Sequence, residues 1–229
     1  MRYRMCLHGG RGASSSYGGD KNTGGDGRPV KFYDMTDKYR GMSLHEFENA
    51  IRDKNVEYIG IFDGDGNLVV AGTSHNPNKV AIPERHPKFK EGQTLTHNHP
   101  YKPTNDPNRT IGASFSDADV RNHVLLGFKG ETRAVSNGPN ENTYIFRAKA
   151  GAKTNKESML KYAGEFKARF DKKATANLNK VTKRLAKEGK TLTPGQKNQV
   201  QLGAAKRVWK SYVVKKAGYE YIEIKKAKW

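Results

Sequence analysis

Between residues 44 and 147 the chain switches repeatedly between two hydrophobic periods, and this switching limits its possible folds more than any other feature. Ser43-Leu-His-Glu46 has the form of a capping box, and Leu44, Phe47 and Ile51 follow at helical spacing, which predicts a helix over about 44–53. Glu57 to Phe62 alternates and is β-rich, and Leu68 to Ala71 returns after an Asp63-Gly-Asp-Gly-Asn67 turn, which predicts a hairpin. Val80-Ala-Ile82 is a short apolar stretch in polar surroundings, and Gln93 to Thr96 predicts a strand leading into two histidines. Residues 100–113 hold three prolines and predict a loop. Ser116 then caps a helix with Val120, Val124 and Leu125 on its inner face. Glu131 to Ser136 and Thr143 to Arg147 alternate around Asn137-Gly-Pro-Asn140, a second hairpin. Strands and helices mixed in this order belong to the α+β class.

Charge divides the chain more sharply than hydropathy does. Residues 151–229 hold 21 Lys/Arg against 6 Asp/Glu, so this third carries +15 of the formal +19. Two long helices are expected there, about 155–188 and 194–216, with Gly189 ending the first and Thr193-Pro-Gly starting the second. Tyr219 to Ile224 predicts a final strand or an extended segment. Residues 9–28 are rich in Gly and Ser and lack the Gly-Lys-Ser/Thr of a phosphate loop, so they suggest a linker, or an RGG-like tether to nucleic acid. Three regions result: a Gly/Ser-rich flexible leader (1–40), a central domain (41–150) and a basic helical extension (151–229). The extension, whose helices also carry Leu178, Val181 and Leu185, is expected to pack through Leu160, Phe166, Phe170 and Trp209. Its other side would offer Lys172, Lys173, Lys183, Arg184, Lys206 and Arg207 to nucleic acid or to an acidic protein.

One cysteine, Cys6, excludes a disulfide framework within the chain and a Cys-based zinc knuckle. The first ten residues have no apolar core for a signal peptide and no window is long enough to span a membrane, so a soluble, cytoplasmic protein is expected. Asp63, Asp65 and Asn67 have calcium-loop spacing, but Leu68 stands at the glycine position and Ser74 at the glutamate position, which leaves a turn.

The chemically richest segment is Thr96-His97-Asn98-His99-Pro100, followed by Ser116-Asp-Ala-Asp119. On a strand, residues i and i+2 point to one face, so His97 and His99 could offer two imidazoles to one metal ion. Asp119 could supply a third ligand, and three protein ligands leave one position of a tetrahedral zinc open. His123, one helical turn after Asp119, is a candidate substitute ligand or a partner to one. The letters His-Asn-His also name the HNH nucleases, whose residues spread over a ββα finger for which no spacing follows here.

His-x-His-Pro followed by Ser-x-x-Asp, with an upstream strand glutamate, resembles the JAMM motif of the MPN/JAB metalloprotease family. The similarity covers about residues 55–147. It implies a mixed sheet with flanking helices and a zinc-dependent hydrolase of peptide or isopeptide bonds. By the same resemblance His97, His99 and Asp119 would hold Zn2+, Glu57 would be the general base, and Ser116 would donate to the oxyanion. The stretch from Pro100 to Ser116 is about twice the family's usual ~7 residues, an insertion beside the site. Ser114-x-x-Asp117 fits the same pattern, and Glu84 and Glu91 are alternative bases. Val208-Trp-Lys-Ser-Tyr and Gly218-Tyr-Glu-Tyr221 resemble the endings of JAMM-like domains in phage and mobile-element proteins, which would place the chain in a bacterial host cytoplasm or a virion. An inactive JAMM-like scaffold that binds nucleic acid, or a metal-dependent nuclease, are the alternative readings.

Overall fold

The computed structural model describes residues 6–8, 31–77, 79–83, 86–100, 115–136 and 142–225. Its strands are β1 (Cys6–His8), β2 (Tyr33–Asp34), β3 (Tyr58–Phe62), β4 (Leu68–Thr73), β5 (Lys79–Ala81), β6 (Thr94–His99), β7 (Glu131–Ser136), β8 (Thr143–Ala148) and β9 (Tyr219–Ile224). Its helices are α1 (Thr36–Tyr39), α2 (Leu44–Arg52), α3 (Asp117–Leu126), α4 (Lys156–Lys187) and α5 (Pro194–Lys216), with a 3-10 turn at Pro87–Glu91. The class is α+β, as expected. Seven strands form one sheet in the order β2-β4-β3-β6-β7-β8-β9, and β1 pairs with β5 apart from it. Every neighbouring pair in the large sheet is antiparallel except β6 and β7. A parallel pair needs a crossover of a dozen or more residues, and here that crossover carries α3.

Helices cover both faces of the sheet, so β6 is buried from Leu95 to His99. On one face lies α2, started by a complete Ser43/Glu46 capping box. Gly60 lets it approach, because a Cβ there would stand 2.4 Å from the Phe47 ring. Its Glu48 takes a bidentate hold on buried Arg133 (2.5 and 3.0 Å) and accepts from Thr96 Oγ1 (2.9 Å). On the other face α3, α4 and α5 share a single core with the strands. Phe115, Val120, Val124, Ala134, Tyr144 and Phe146 from the central region meet Met159, Tyr162, Phe166, Ala204, Trp209 and Tyr221 from the basic region.

Residues 151–229 pack on the apolar face of the central sheet, share its core and extend it with β9. Two expectations change. Structure begins before residue 41: Cys6–His8 and Tyr33–Asp34 are paired strands, although residues 9–30 of the Gly/Ser leader lie outside the described part. Leu125 faces solvent at 52% exposure, because it sits 100° past Val124 on a narrow buried stripe. The 101–113 insertion, the Asn137–Asn140 turn and Glu84 also lie outside the described residues. No helix among those described is long and apolar enough to cross a membrane.

Candidate metal centre

His97 and His99 sit on the central strand, and the register fixes which way they face. His97 is level with Ala134 on β7, and Ala134 with Tyr144 on β8. Ala134 and Tyr144 both belong to the core under α3, α4 and α5, so both histidines point to that face. Asp119 reaches them from the first turn of α3. Its backbone N–H donates to Ser116 Oγ (3.2 Å), and Ser116 N–H donates to Asp119 Oδ2 (2.7 Å). The Ser-x-x-Asp pattern is therefore a true capping box, and the same box aims the carboxylate at the histidines. In this cap Ser116 Oγ is an acceptor, and its O–H, the donor that the resemblance implies for an oxyanion, is not used by it.

The three side chains converge. His97 Nε2 lies 2.9 Å from His99 Nε2 and 3.4 Å from Asp119 Oδ1, and His99 Nε2 lies 3.5 Å from Asp119 Oδ2. Tetrahedral zinc with bonds of about 2.0–2.1 Å has ligand-to-ligand edges of about 3.3–3.4 Å, so the spacing fits within half an ångström. All three residues are at most 1% exposed. Asp119 Oδ1 is buried with no hydrogen-bond partner, as are both Nδ1 atoms. Burial acts to raise the Asp119 carboxyl, but the facing His97 and His99 rings outweigh it and hold the group below the usual carboxylate range. Burial pushes the His97 imidazole down, against the pull of Asp119, which keeps it in the neutral form that a metal needs. A carboxylate buried against two imidazoles with no other partner for its Oδ1 is costly by itself, and a cation held by the three offsets that cost. These residues can hold a metal ion. The insertion between Pro100 and Ser116 leaves Asp119 within reach.

Glu57 is fully buried and immediately precedes β3. Ile59 pairs with His97, so continuing the register by two residues sets Glu57 opposite His99 and on the same face. Two backbone bonds hold it there: its N–H donates to Asn76 O (2.9 Å), and its O accepts from Thr73 Oγ1 (2.7 Å). Asn98 adds a clamp from the opposite face. Its Oδ1 accepts from Tyr58 N–H (2.6 Å) and its Nδ2 donates to Val56 O (3.0 Å). Sequence reasoning passed over Asn98. The signal was available, because an amide between two histidines on a strand buried on both faces must find partners.

The remaining candidates separate cleanly. His123 Nδ1 bonds Thr132 Oγ1 (2.9 Å) and its ring packs on Phe146 and Tyr219, so it belongs to the core and is not a ligand. Burial, aided by nearby Lys156, pushes its pKa down to about 4. Glu91 ends the 3-10 turn, and Ser114, the alternative cap, lies outside the described residues. Trp209 is a second residue that sequence reasoning left without a role at the site. It is fully buried, stacks on Phe166 at 4.1 Å, and donates from Nε1 to Phe115 O (3.1 Å), one residue before the cap that aims Asp119. Lys172, Lys173, Lys183, Arg184 and Arg207 are exposed, whereas Lys206 is drawn into an ion pair with Glu223. Comparison with protein-family profiles, with curated proteins and with solved structures returns no match.

Proposed function

We propose that the protein is a zinc-dependent hydrolase of peptide or isopeptide bonds, of the JAMM type. The convergence of His97 Nε2, His99 Nε2 and Asp119 Oδ1 at near-tetrahedral spacing, with a buried carboxylate oxygen left without a partner, carries the reading. Two histidines and one carboxylate are a donor set that suits zinc. When bound, the ion supplies Lewis acidity, polarising a carbonyl and lowering the pKa of water. Glu57, on the same face, takes the proton of the attacking water at its carboxylate and returns it to the leaving amine. Asn98 keeps Glu57 in place by clamping the backbone on either side of it. Ser116 holds Asp119 through the cap and serves as a positioning residue. The nuclease alternative gains nothing from the fold, because both histidines lie on one uninterrupted central strand instead of spreading over a hairpin and a helix.

Elemental analysis of protein purified without chelator tests the reading. About one zinc per chain is expected, and none after the double change His97→Ala with His99→Ala. Glu57→Gln should keep the metal and lose cleavage of a library of linear and isopeptide-linked peptides. Metal content far below one after zinc is added would end the metal reading. A metal-loaded protein that cleaves nothing would instead favour the inactive scaffold.

A further inference from the structure

Helix α4 changes character at Asp171. In its first half acids are interspersed, and two of its four cations pair with them: Arg169 with Glu165 (2.5 Å) and Lys167 with Asp171 (2.9 Å), both at i,i+4 spacing. From Lys172 to Lys187 the helix has no carboxylate at all. Lys172, Lys173, Lys180, Lys183, Arg184 and Lys187 are all exposed there, and none enters an ion pair among the described residues. At 100° per residue these six fall within about a third of the helix circumference, along ~22 Å of its length. The buried Ala174 and Leu185 lie on the opposite side.

A solvated helix face gains from interspersed acids, as in the first half of α4. Lys180 with Arg184 and Lys183 with Lys187 are like-charged i,i+4 pairs, which destabilise a helix. The helix dipole offsets this only in the last turn, for Arg184 and Lys187. Nothing described within the molecule balances the rest of the stripe, which points to an external polyanion. We infer that this stripe is a docking surface for the phosphate backbone of duplex nucleic acid. Duplex DNA presents one negative charge per ~1.7 Å of axis, so a straight row of cations can follow it. Residues 171–190 contain no aromatic residue, so the stripe offers single-stranded bases nothing to stack on. A membrane would need the apolar side of α4, and that side is spent: Ala174 shares its core with Ala204 and Val208 of α5. The inference is independent of the metal reading.

Fluorescence anisotropy of the full chain with a random-sequence duplex tests it. With about six phosphate contacts the slope of log K against log salt is about −5.4, a loss of roughly two-thousandfold between about 50 and 200 mM salt. The triple change Lys180→Gln, Lys183→Gln, Arg184→Gln should leave the circular dichroism spectrum unaltered. It should bring the slope to about −2.7, so that the loss over the same range is roughly fortyfold. Changing the paired Lys167 and Arg169 to Gln should do much less. No binding at the lower salt, binding that the triple change leaves intact, or tighter binding to oligothymidine or to anionic vesicles than to the duplex would each overturn the assignment.

Discussion

Replacing Trp209 tests whether the basic region is part of the machinery that aims Asp119. The indole has no exposed surface, stacks nearly parallel on Phe166 at 4.1 Å, and is the hydrogen-bond donor to Phe115 O. Truncation to alanine removes that packing, at about 3–5 kcal/mol. It also leaves the buried Phe115 carbonyl without its donor, a further ~1–3 kcal/mol. For a chain of this length each kcal/mol lowers the melting temperature by roughly 2–4 °C, so Trp209→Ala should melt about 10–30 °C early. Trp209→Phe keeps an aromatic ring against Phe166 but loses the donor and part of the buried ring volume, so it should cost about 2–4 kcal/mol. The phenylalanine variant, still folded at room temperature, should bind zinc more weakly than the parent because the cap of α3 is no longer tethered. Circular dichroism melting and a competition titration with a zinc chelator give the two readouts. A melting temperature for Trp209→Ala within about two degrees of the parent would refute the shared core, since the ledger predicts several times that shift.

Two further outcomes follow from buried charges. Glu48→Ala should cost up to about 3–5 kcal/mol, because it removes two of the three ion-pair bonds of buried Arg133 and leaves it Glu131 alone, and Glu48→Leu with Arg133→Met should recover most of it in urea unfolding; equal loss in single and double variants would contradict this. His123 has a folded pKa pushed down to about 4 from an ordinary 6.5. Its contribution is therefore fully present above about pH 6.5 and is lost as pH falls toward 4, about 3 kcal/mol in all. His123→Asn should flatten the stability profile in that window, and an unchanged profile would show that the ring is not kept neutral.

Local pattern was legible wherever it stood alone. The Ser43 and Ser116 caps, both hairpins, the two long helices and the final strand follow from residues a few positions apart, and all are present. His97 and His99 were legible as a pair because strand geometry alone puts them on one face. Partnerships across distant parts of the chain were not legible. Nothing near Trp209 says that its donor ends on Phe115, 94 residues earlier. Nothing near Glu48 announces Arg133, 85 residues on. The boundary drawn at residue 150 followed charge, and charge describes the outer side of α4 and α5 only; their inner side belongs to the same core as β7 and β8.

That shared core has a consequence during synthesis. A ribosome that has reached residue 150 has produced both histidines, Asp119 and the capping serine, but not Met159, Tyr162, Phe166 or Trp209. Phe115, Val120, Tyr144 and Phe146 are then an uncovered apolar surface, and the start of α3 has no tether. At ~5–20 residues per second, the stretch through Tyr221 takes roughly 4–14 s more. Throughout that interval the nascent chain carries His97, His99 and Asp119 without the scaffold that brings them together. A fold built this way cannot bring its candidate metal-binding residues together until its basic third emerges, and during those seconds its exposed sheet is where a chaperone would be needed.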